Sequence, residues 1–427
     1  MLELYLHNFR GFDDAVIPLL RANFLIGENS TGKTSVLAML RLLTRPDFWL
    51  TGSFNTDEHE FGQYRDIVSA SAESKREFWV GYVDRDESAL GGGFLACFRE
   101  RDGMPFAYRL AILGESEIGV AVVRPTGIDC LVMARSSEPH GGSELGALRR
   151  RMAEARSGYQ RMEGIRSGDA RTATIGFLSA IMSRFMTQHD AKADLRSFSY
   201  PRLAGRCDWI APIRTKPQRT YGPYLGGYSP EGQHTPYVLN EALSDPAAAH
   251  DLRNSLEHFG KASGLFKEVR IRRYGRQFGA PFSVEVVLTR YPHSLSNVGY
   301  GVSQALPVVV ELIRGKEDSW TIIQQPEVHL HPRAQAALGD LAFDVCRVPG
   351  RRLVLETHSD FMVDRFRLRT KTGERHIPAG QVLFFERRRR GNSVQPISIG
   401  PDGEYPEDQP DGFRRFFLEE SLRILEL

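Results

Sequence analysis

The sequence predicts an α/β protein whose parallel-sheet core is split between the two ends of the chain, with an antiparallel β-sheet and a helical region inserted between the halves. Three observations point there. Apolar runs at 23–26, 320–330 and 352–357 each give way to helical spacing, as strands of a doubly wound sheet do. The first run lies near the start of the chain, whereas the other two follow residue 300. Between them, residues 76–134 carry short β-type runs broken by Gly, Asp and Pro, the pattern of antiparallel strands. The expected division is a core at 1–45 and 290–427, a β-rich lobe at 46–143, and a helical and loop region at 144–289.

Residues 2–8 read as a strand, followed by a turn at Asn8-Phe9-Arg10-Gly11-Phe12. Asn23-Phe24-Leu25-Ile26 is a buried strand that ends at Gly27. From Lys33, apolar Val36, Leu37, Met39, Leu40 and Leu43 recur at helical spacing until Pro46 stops the helix. The inserted strands are Phe78–Val83, Phe94–Phe98 and Val120–Val123. Leu145, Leu148 and Met152 mark one helix and Ile175 to Met186 a second, with breaks at Gly141-Gly142 and Gly168. Tyr200 to Thr235 is rich in Pro, Gly, Arg and Tyr and reads as an ordered loop region. Glu404 to Asp411 reads as an acidic surface loop. The helix from Phe413 to Leu427 is then expected to dock by Phe416, Phe417, Leu422 and Leu425.

Composition narrows the function classes. Hydrophobic content of 41% and aromatic content of 10% suit a globular protein. Lys+Arg 55 against Asp+Glu 53 leaves a charge of +2, so nucleic-acid contact requires local patches. Cys97, Cys130, Cys207 and Cys346 are far apart, which argues against a zinc site and suits a reducing compartment. No stretch approaches the ~20 apolar residues of a membrane span, and a cytoplasmic location is expected.

Gly27-Glu28-Asn29-Ser30-Thr31-Gly32-Lys33-Thr34 is the strongest motif. Glycines at 27 and 32 let the backbone N–H groups turn inward around an anion, where a Cβ would obstruct. The following helix points its positive end at that anion. Lys33 would neutralise phosphate oxygens, Thr34 would ligate Mg²⁺, and a preceding strand supplies the context such a P-loop needs. The chain is expected to bind ATP here, through Gly27 to Thr34 and Ser35.

Two later blocks deliver polar residues at strand ends: Ser319 to Pro332, containing Gln324-Gln325-Pro326-Glu327, and Leu353 to Asp360, containing His358. In the ligand crevice of a doubly wound sheet, His358 reads as a γ-phosphate sensor. Before them, Gly301 and Ser303 stand ahead of the apolar stretch from Ala305 to Ile313. Alone, that is a helix start with a glycine.

In this order the blocks resemble the ABC-type ATPase heads of the RecF/SMC and OLD class, and within it the stand-alone ATPases of anti-phage systems such as Septu and retron-associated subunits. The resemblance covers residues 1–45 and about 290–365, is looser at Pro212-Ile213-Arg214-Thr215-Lys216-Pro217, and is weak over 46–195. It implies that Gly27–Thr34 is Walker A and that Gly301, Ser303 and Gln304 belong to the signature. It makes Gln324 to Glu327 the Walker B segment, with Gln325 and Glu327 at catalytic positions and Gln324 at the metal position, and His358 the switch histidine. Arg10 becomes a nucleotide contact and Gln218 the Q-loop residue. ATP and Mg²⁺ would then be sandwiched in a head-to-tail homodimer, or a higher oligomer built from it, each signature completing the partner's site.

One departure bears on activity. The class places an acid at the position of Gln324, and here both Gln324 and Gln325 are amides. A neutral amide is a poorer ligand for a hard cation and cannot act as a base. The sequence is therefore expected to hold ATP better than it cleaves it, with hydrolysis slow or blocked.

Glu386-Arg387-Arg388-Arg389-Arg390-Gly391 is either a solvated hairpin tip or a phosphate-backbone contact, and Arg149–Arg151 and Arg270–Arg273 carry the same two readings. No second catalytic constellation stands out. The resemblance then implies a role in scaffolding or regulating a separately encoded effector, a nuclease, in anti-phage defence. The alternative is a RecF-like repair ATPase that binds DNA itself, and a nucleotide-locked structural module is a third.

Overall fold

The computed structural model describes residues 1–85, 92–135, 143–155, 157–165, 174–188, 206–223, 227–244, 249–277, 279–372 and 377–416. Its elements begin β1 (Leu2–Phe9), β2 (Phe12–Leu19), β3 (Ala22–Gly27), α1 (Lys33–Thr44), α2 (Pro46–Thr51), α3 (Tyr64–Ile67) and β4 (Phe78–Asp84). Next come β5 (Gly93–Arg101), β6 (Met104–Leu113), β7 (Glu117–Arg124), β8 (Gly127–Ala134), α4 (Glu144–Glu154), β9 (Gln160–Arg161), α5 (Ile175–Gln188) and β10 (Arg206–Ile210). Then follow α6 (Thr235–Ala242), α7 (Ala249–Ser263), β11 (Glu268–Arg273), β12 (Phe282–Val287), β13 (Pro292–Ser294) and α8 (Tyr300–Arg314). The series closes with β14 (Ser319–Gln324), α9 (Pro332–Cys346), β15 (Arg352–Glu356), α10 (Asp360–Lys371), β16 (Gly380–Arg388) and β17 (Gly391–Ile399). The chain divides into two compact units: Met1–Leu20, Glu28–Leu203 and Phe385–Pro396 form the first, and Arg21–Gly27, Ala204–Phe384 and Ile397–Leu427 the second.

The first unit is built on an eight-stranded sheet in the order β2-β1-β4-β5-β6-β7-β8-β9, antiparallel throughout. The three inserted β runs lie in β4, β5 and β7 as expected. The sheet also takes in β1 and β2, with Leu4 opposite both Ile17 and Tyr82. The turn between β1 and β2 holds Asn8 at φ 51° and Arg10 at φ 49°, left-handed positions that non-glycine residues rarely occupy. It is fixed from outside by the Arg10 N–H, which donates to Ile67 O at 2.6 Å. Beneath it Phe9, Phe54, Phe61, Phe78 and Phe98 pack ring to ring, the Phe54–Phe98 centroids 4.9 Å apart.

Helix α1 buries Val36, Leu37, Met39, Leu40 and Leu43, the residues its spacing selects. Its end has a local cause. A residue before proline is pushed out of the helical region, and Arg45 is extended while Pro46 opens α2. Leu145, Leu148 and Met152 of α4 pack with Trp79, Leu95 and Val120 of the sheet. Gly141, Gly142 and Gly168 lie outside the described residues.

The second unit carries a six-stranded sheet ordered β10-β14-β15-β3-β16-β17, in which β10, β14, β15 and β3 run parallel. The N-terminal β3 therefore sits between strands from the far end of the chain, and the core is split as the sequence predicts. Buried Asn23 holds it there: its Nδ2 donates to Leu353 O at 3.0 Å and its Oδ1 accepts from Gln381 Nε2 at 2.8 Å. Parallel strands need covering on both faces. Phe24 and Ile26, on one face of β3, share an apolar cluster with Val308 and Val309 of α8, Leu338 of α9 and Phe366 of α10, and Leu25 on the opposite face is buried as well.

Two parts of the predicted loop and helical stretch are strands. Arg206–Ile210 forms the edge strand β10, and β11, β12 and β13 make a separate three-stranded sheet. At the other end of the chain, Phe413 and Phe416 pack on Phe384 at 5.6 and 5.9 Å. Phe417, Leu422 and Leu425 lie outside the described residues. Among the described residues no helix is long and apolar enough to cross a membrane.

Candidate nucleotide-binding site

Gly27 ends β3 at φ 143°, and the rest of the P-loop belongs to the first unit. Gly32 is left-handed, at φ 95°, and a Cβ there would lie 2.5 Å from Phe12 Cζ, closer than carbon atoms approach. Position 32 therefore demands glycine twice over, for its dihedral and for its space. Ser30 is also left-handed, at φ 62°. Thr31 Oγ1 donates to Glu28 O at 2.7 Å, and buried Lys33 donates from Nζ to the same carbonyl at 2.6 Å, so the loop closes on itself. Glu28, Asn29, Ser30 and Thr34 are exposed at its rim, and Ser35 is buried. Gly32 is the N-cap of α1 and supplies no side-chain cap, and the first turn carries no acid. A helix start of this kind presents N–H groups and a positive field to an anion.

The β1–β2 turn and the tip of the β16–β17 hairpin flank this loop within the first unit. Arg10 lies over the Phe61 ring at 4.9 Å and donates from Nη2 to Phe61 O at 3.0 Å, and half-burial lowers its pKa despite the nearby Asp66 charge. Arg387 donates from Nη2 to the Ser30 carbonyl at 3.3 Å. Asn392 donates from its backbone N–H to Gly11 O at 2.7 Å, and its Nδ2 would meet a Cβ on Gly32 at 3.2 Å.

In the second unit the tips of β14 and β15 form one network. Gln324 stands directly opposite Glu356 in the parallel register, and its Nε2 donates to Glu356 Oε2 at 2.8 Å. Trp209 Nε1 donates to Gln324 Oε1 at 3.0 Å, so both ends of that amide are engaged in the interior. Arg214 Nη2 donates to the carbonyls of Gln324 (2.9 Å) and Gln325 (3.2 Å). Burial pulls the Arg214 pKa down to about 10, with Glu327 opposing the shift. Gln325 is left-handed at φ 43°, and its N–H donates to Glu356 O at 2.7 Å. Glu327 accepts through both oxygens, from Thr357 Oγ1 at 2.9 Å and from the His358 N–H at 2.7 Å. His358 itself is exposed, and Ser359 caps α10 by accepting from Met362 N at 3.2 Å.

The predicted helix start at the signature is α8, whose N-cap Gly299 makes no side-chain cap bond. Gly301 lies so close to the turn after β14 that a Cβ would come 2.8 Å from His329 O. Ser303 is buried and its hydroxyl donates back to Tyr300 O at 3.0 Å; Gln304 is buried as well. Gln218 is exposed and lines a pocket of about 280 Å³ with Lys216, Tyr221, Tyr237, Ser303 and Pro307.

The predicted residues thus fall into two groups, each assembled within its own unit: Arg10 and Glu28 to Ser35 in the first, and Gly301, Gln324, Gln325, Glu327 and His358 in the second. Sequence reading assigned no role to Trp209, Glu356 or Asn392, and weighed Arg387 only as part of a basic run. Among the described residues no three His, Cys, Asp or Glu side chains group as a metal cage would require. A nucleotide-borne Mg²⁺ needs only one or two protein ligands, and exposed Thr34 at the start of α1 fits that lesser demand.

Two family models match the chain, and both cover motif-bearing segments. Residues 1–78 match the AAA ATPase domain, and residues 248–364 match the AAA domain described as putative AbiEii toxin, Type IV TA system. In these segments the chain is similar to AAA-type ATPases. No curated protein matches it. Solved structures similar to it include the SmcHead bound to the C-winged helix domain of ScpA, at 10% identity over 93% of this chain and 97% of that one, TM-score 0.45. The SMC head domain from Thermotoga maritima shares 11% identity over 92% and 98%, with TM-score 0.40. The Pyrococcus furiosus Smc head domain with an extended coiled coil, bound to the C-terminal domain of ScpA, shares 10% identity over 100% and 99%, with TM-score 0.41. Likenesses so distant bear on neither activity nor partners.

Proposed function

We propose that this chain is an ATPase that binds ATP at Gly27–Thr34 and holds it longer than it hydrolyses it. One observation carries the binding: a loop with left-handed Ser30 and Gly32, no room for a Cβ at Gly32, and an α1 start without side-chain cap or acid. ATP phosphates would draw Lys33 away from the Glu28 carbonyl, since a charged acceptor outcompetes a neutral one. Calorimetric titration with ATP and Mg²⁺ tests this. Lys33→Ala should weaken binding by about two orders of magnitude or more, and an unchanged affinity would end the reading.

Slow hydrolysis follows from the amides. Gln324 has both ends hydrogen-bonded inside the protein, and neither it nor Gln325 can take a proton from water. Glu327, engaged through both oxygens, orients the His358 backbone instead. In this reading Thr34 ligates Mg²⁺ and His358 senses the γ-phosphate. Gly301, Ser303 and Gln304 act in trans in an ATP-bridged homodimer, which then scaffolds a separate effector in anti-phage defence. A helix that starts at Gly299 and carries Ser303 in its first turn supports the signature role. Light scattering with ATP checks the dimer: Ser303→Arg should keep ATP binding and lose dimerisation. The effector role fails if the tagged protein, co-expressed with its genomic neighbours, retains none of them.

Arg389 and Arg390, both exposed in the turn between β16 and β17, support a second reading, direct DNA binding. ATP-dependent, salt-sensitive DNA binding lost on Arg389→Ala with Arg390→Ala would favour it.

A further inference from the structure

We propose that Arg387 is a phosphate ligand of the nucleotide site, presented to the P-loop by the C-terminal hairpin of the same chain; this rests on the ATP reading above. The basic run Arg387–Arg390 does not act as one surface. Arg388 turns to Glu386 at 3.1 Å, whereas Arg387 reaches the P-loop and donates to Ser30 O at 3.3 Å. Among the described residues Arg387 has no carboxylate partner, so an exposed guanidinium is held beside an anion-binding loop by a long bond to a neutral carbonyl. A phosphate oxygen offers the same donor a shorter, charge-assisted bond, and the guanidinium fork matches it in shape.

What holds the arginine there is backbone, not side-chain chance. The hairpin turn is tied to the β1–β2 turn by the Asn392 N–H to Gly11 O bond of 2.7 Å. Both turns meet through glycines. Gly391 sits at φ 123° with Gly11 O 2.7 Å from where a Cβ would be, and a Cβ on Gly11 would lie 2.3 Å from Asn392 Nδ2. Phe385 packs on Phe12, the residue that denies Gly32 a side chain, with centroids 6.4 Å apart. The hairpin that carries Arg387 is thus fixed beside the P-loop by a backbone hydrogen bond, a close glycine contact and the Phe385–Phe12 packing. Lys33 already lies on the Glu28 carbonyl and Arg387 on that of Ser30, so the two cations rest on different carbonyls of the one loop.

The full-length chain is titrated with ATP and, separately, with inorganic tripolyphosphate, which has no base or sugar. Arg387→Ala should weaken both by about tenfold or more, Arg387→Lys should recover part of the loss, and Arg388→Ala, whose side chain turns to Glu386, should stay within about twofold of the parent. Should Arg387→Ala not fold, Arg387→Gln is read in the same way. Unchanged affinity for both ligands overturns the proposal, and so does a loss confined to ATP, which would place the contact on the base. Lys33→Ala separates the two failures. If it abolishes binding while Arg387→Ala does nothing, only the hairpin proposal falls; if Lys33→Ala is also silent, the ATP reading falls with it.

Discussion

The Gln324 amide donates to the Glu356 carboxylate at 2.8 Å across directly paired positions of β14 and β15. Trp209 holds the other end of the amide, which fixes Nε2 toward the carboxylate. An acid at position 324 would lie against Glu356, and two buried carboxylates in contact cannot both ionise cheaply. Gln324→Glu is thus expected to lose about 1–3 kcal/mol of stability at pH 7.5, and less at pH 5.5, where a shared proton removes the repulsion. Urea denaturation at the two pH values checks this. Equal stability to the parent at pH 7.5 would mean that the pair is not in contact.

Glu327 invites a paired test because a carboxylate and its amide differ in one donor group. Its two oxygens accept from Thr357 and from the His358 N–H. Glu327→Ala removes both acceptors and should cost about 1–3 kcal/mol while loosening the backbone at His358. Glu327→Gln keeps one acceptor and should cost less, with the His358 amide retaining most of its hydrogen-exchange protection. Identical protection in the alanine variant and the parent would remove the bracing role.

How much of this was legible before folding depended on whether the cause was local. Helix α1 and the P-loop were, because helical spacing and a glycine's dihedral freedom are written in adjacent residues. The split core was legible too, since β3, β14 and β15 each read as a short apolar run on their own. Strand β10 was not: it has five residues, carries Asp208 at its centre and adjoins a Pro- and Gly-rich stretch. The pairing of β1 with β4 spans some seventy residues, and register between distant strands leaves no mark in either. Glu356 stood in plain view within Leu353 to Asp360, but its partnership with Gln324 exists only once β14 and β15 are neighbours. Arg387 was hidden differently, as one of four consecutive arginines that composition cannot tell apart.

At Gly32 dihedral and steric demands can be separated. Gly32→Ala meets Phe12 Cζ at 2.5 Å and must also hold a β-carbon at φ 95°. The expected loss is about 2 kcal/mol or more, with ATP binding abolished. Adding Phe12→Ala opens the space and leaves the dihedral cost, so the double variant should regain no ATP affinity. Recovery to the parent affinity would show that space alone dictates the glycine.

Acid should weaken the first unit through two histidines. Burial lowers the pKa of His7, with the Arg149 charge adding to it and Asp14 at 3.8 Å opposing, and burial likewise lowers that of His59, with Arg10 adding. The folded state therefore prefers both rings neutral, while the unfolded chain takes up protons near pH 6.5. Stability is full above that pH and falls as the pH drops through it toward the lower folded values. A decline in melting temperature of a few degrees is expected between pH 7.5 and 5. Replacing both rings, His7→Asn with His59→Asn, should flatten that decline even if it lowers the melting temperature overall. A slope as steep as the parent's would assign the acid sensitivity to other groups, because only a residue that titrates differently in the two states can tilt the curve.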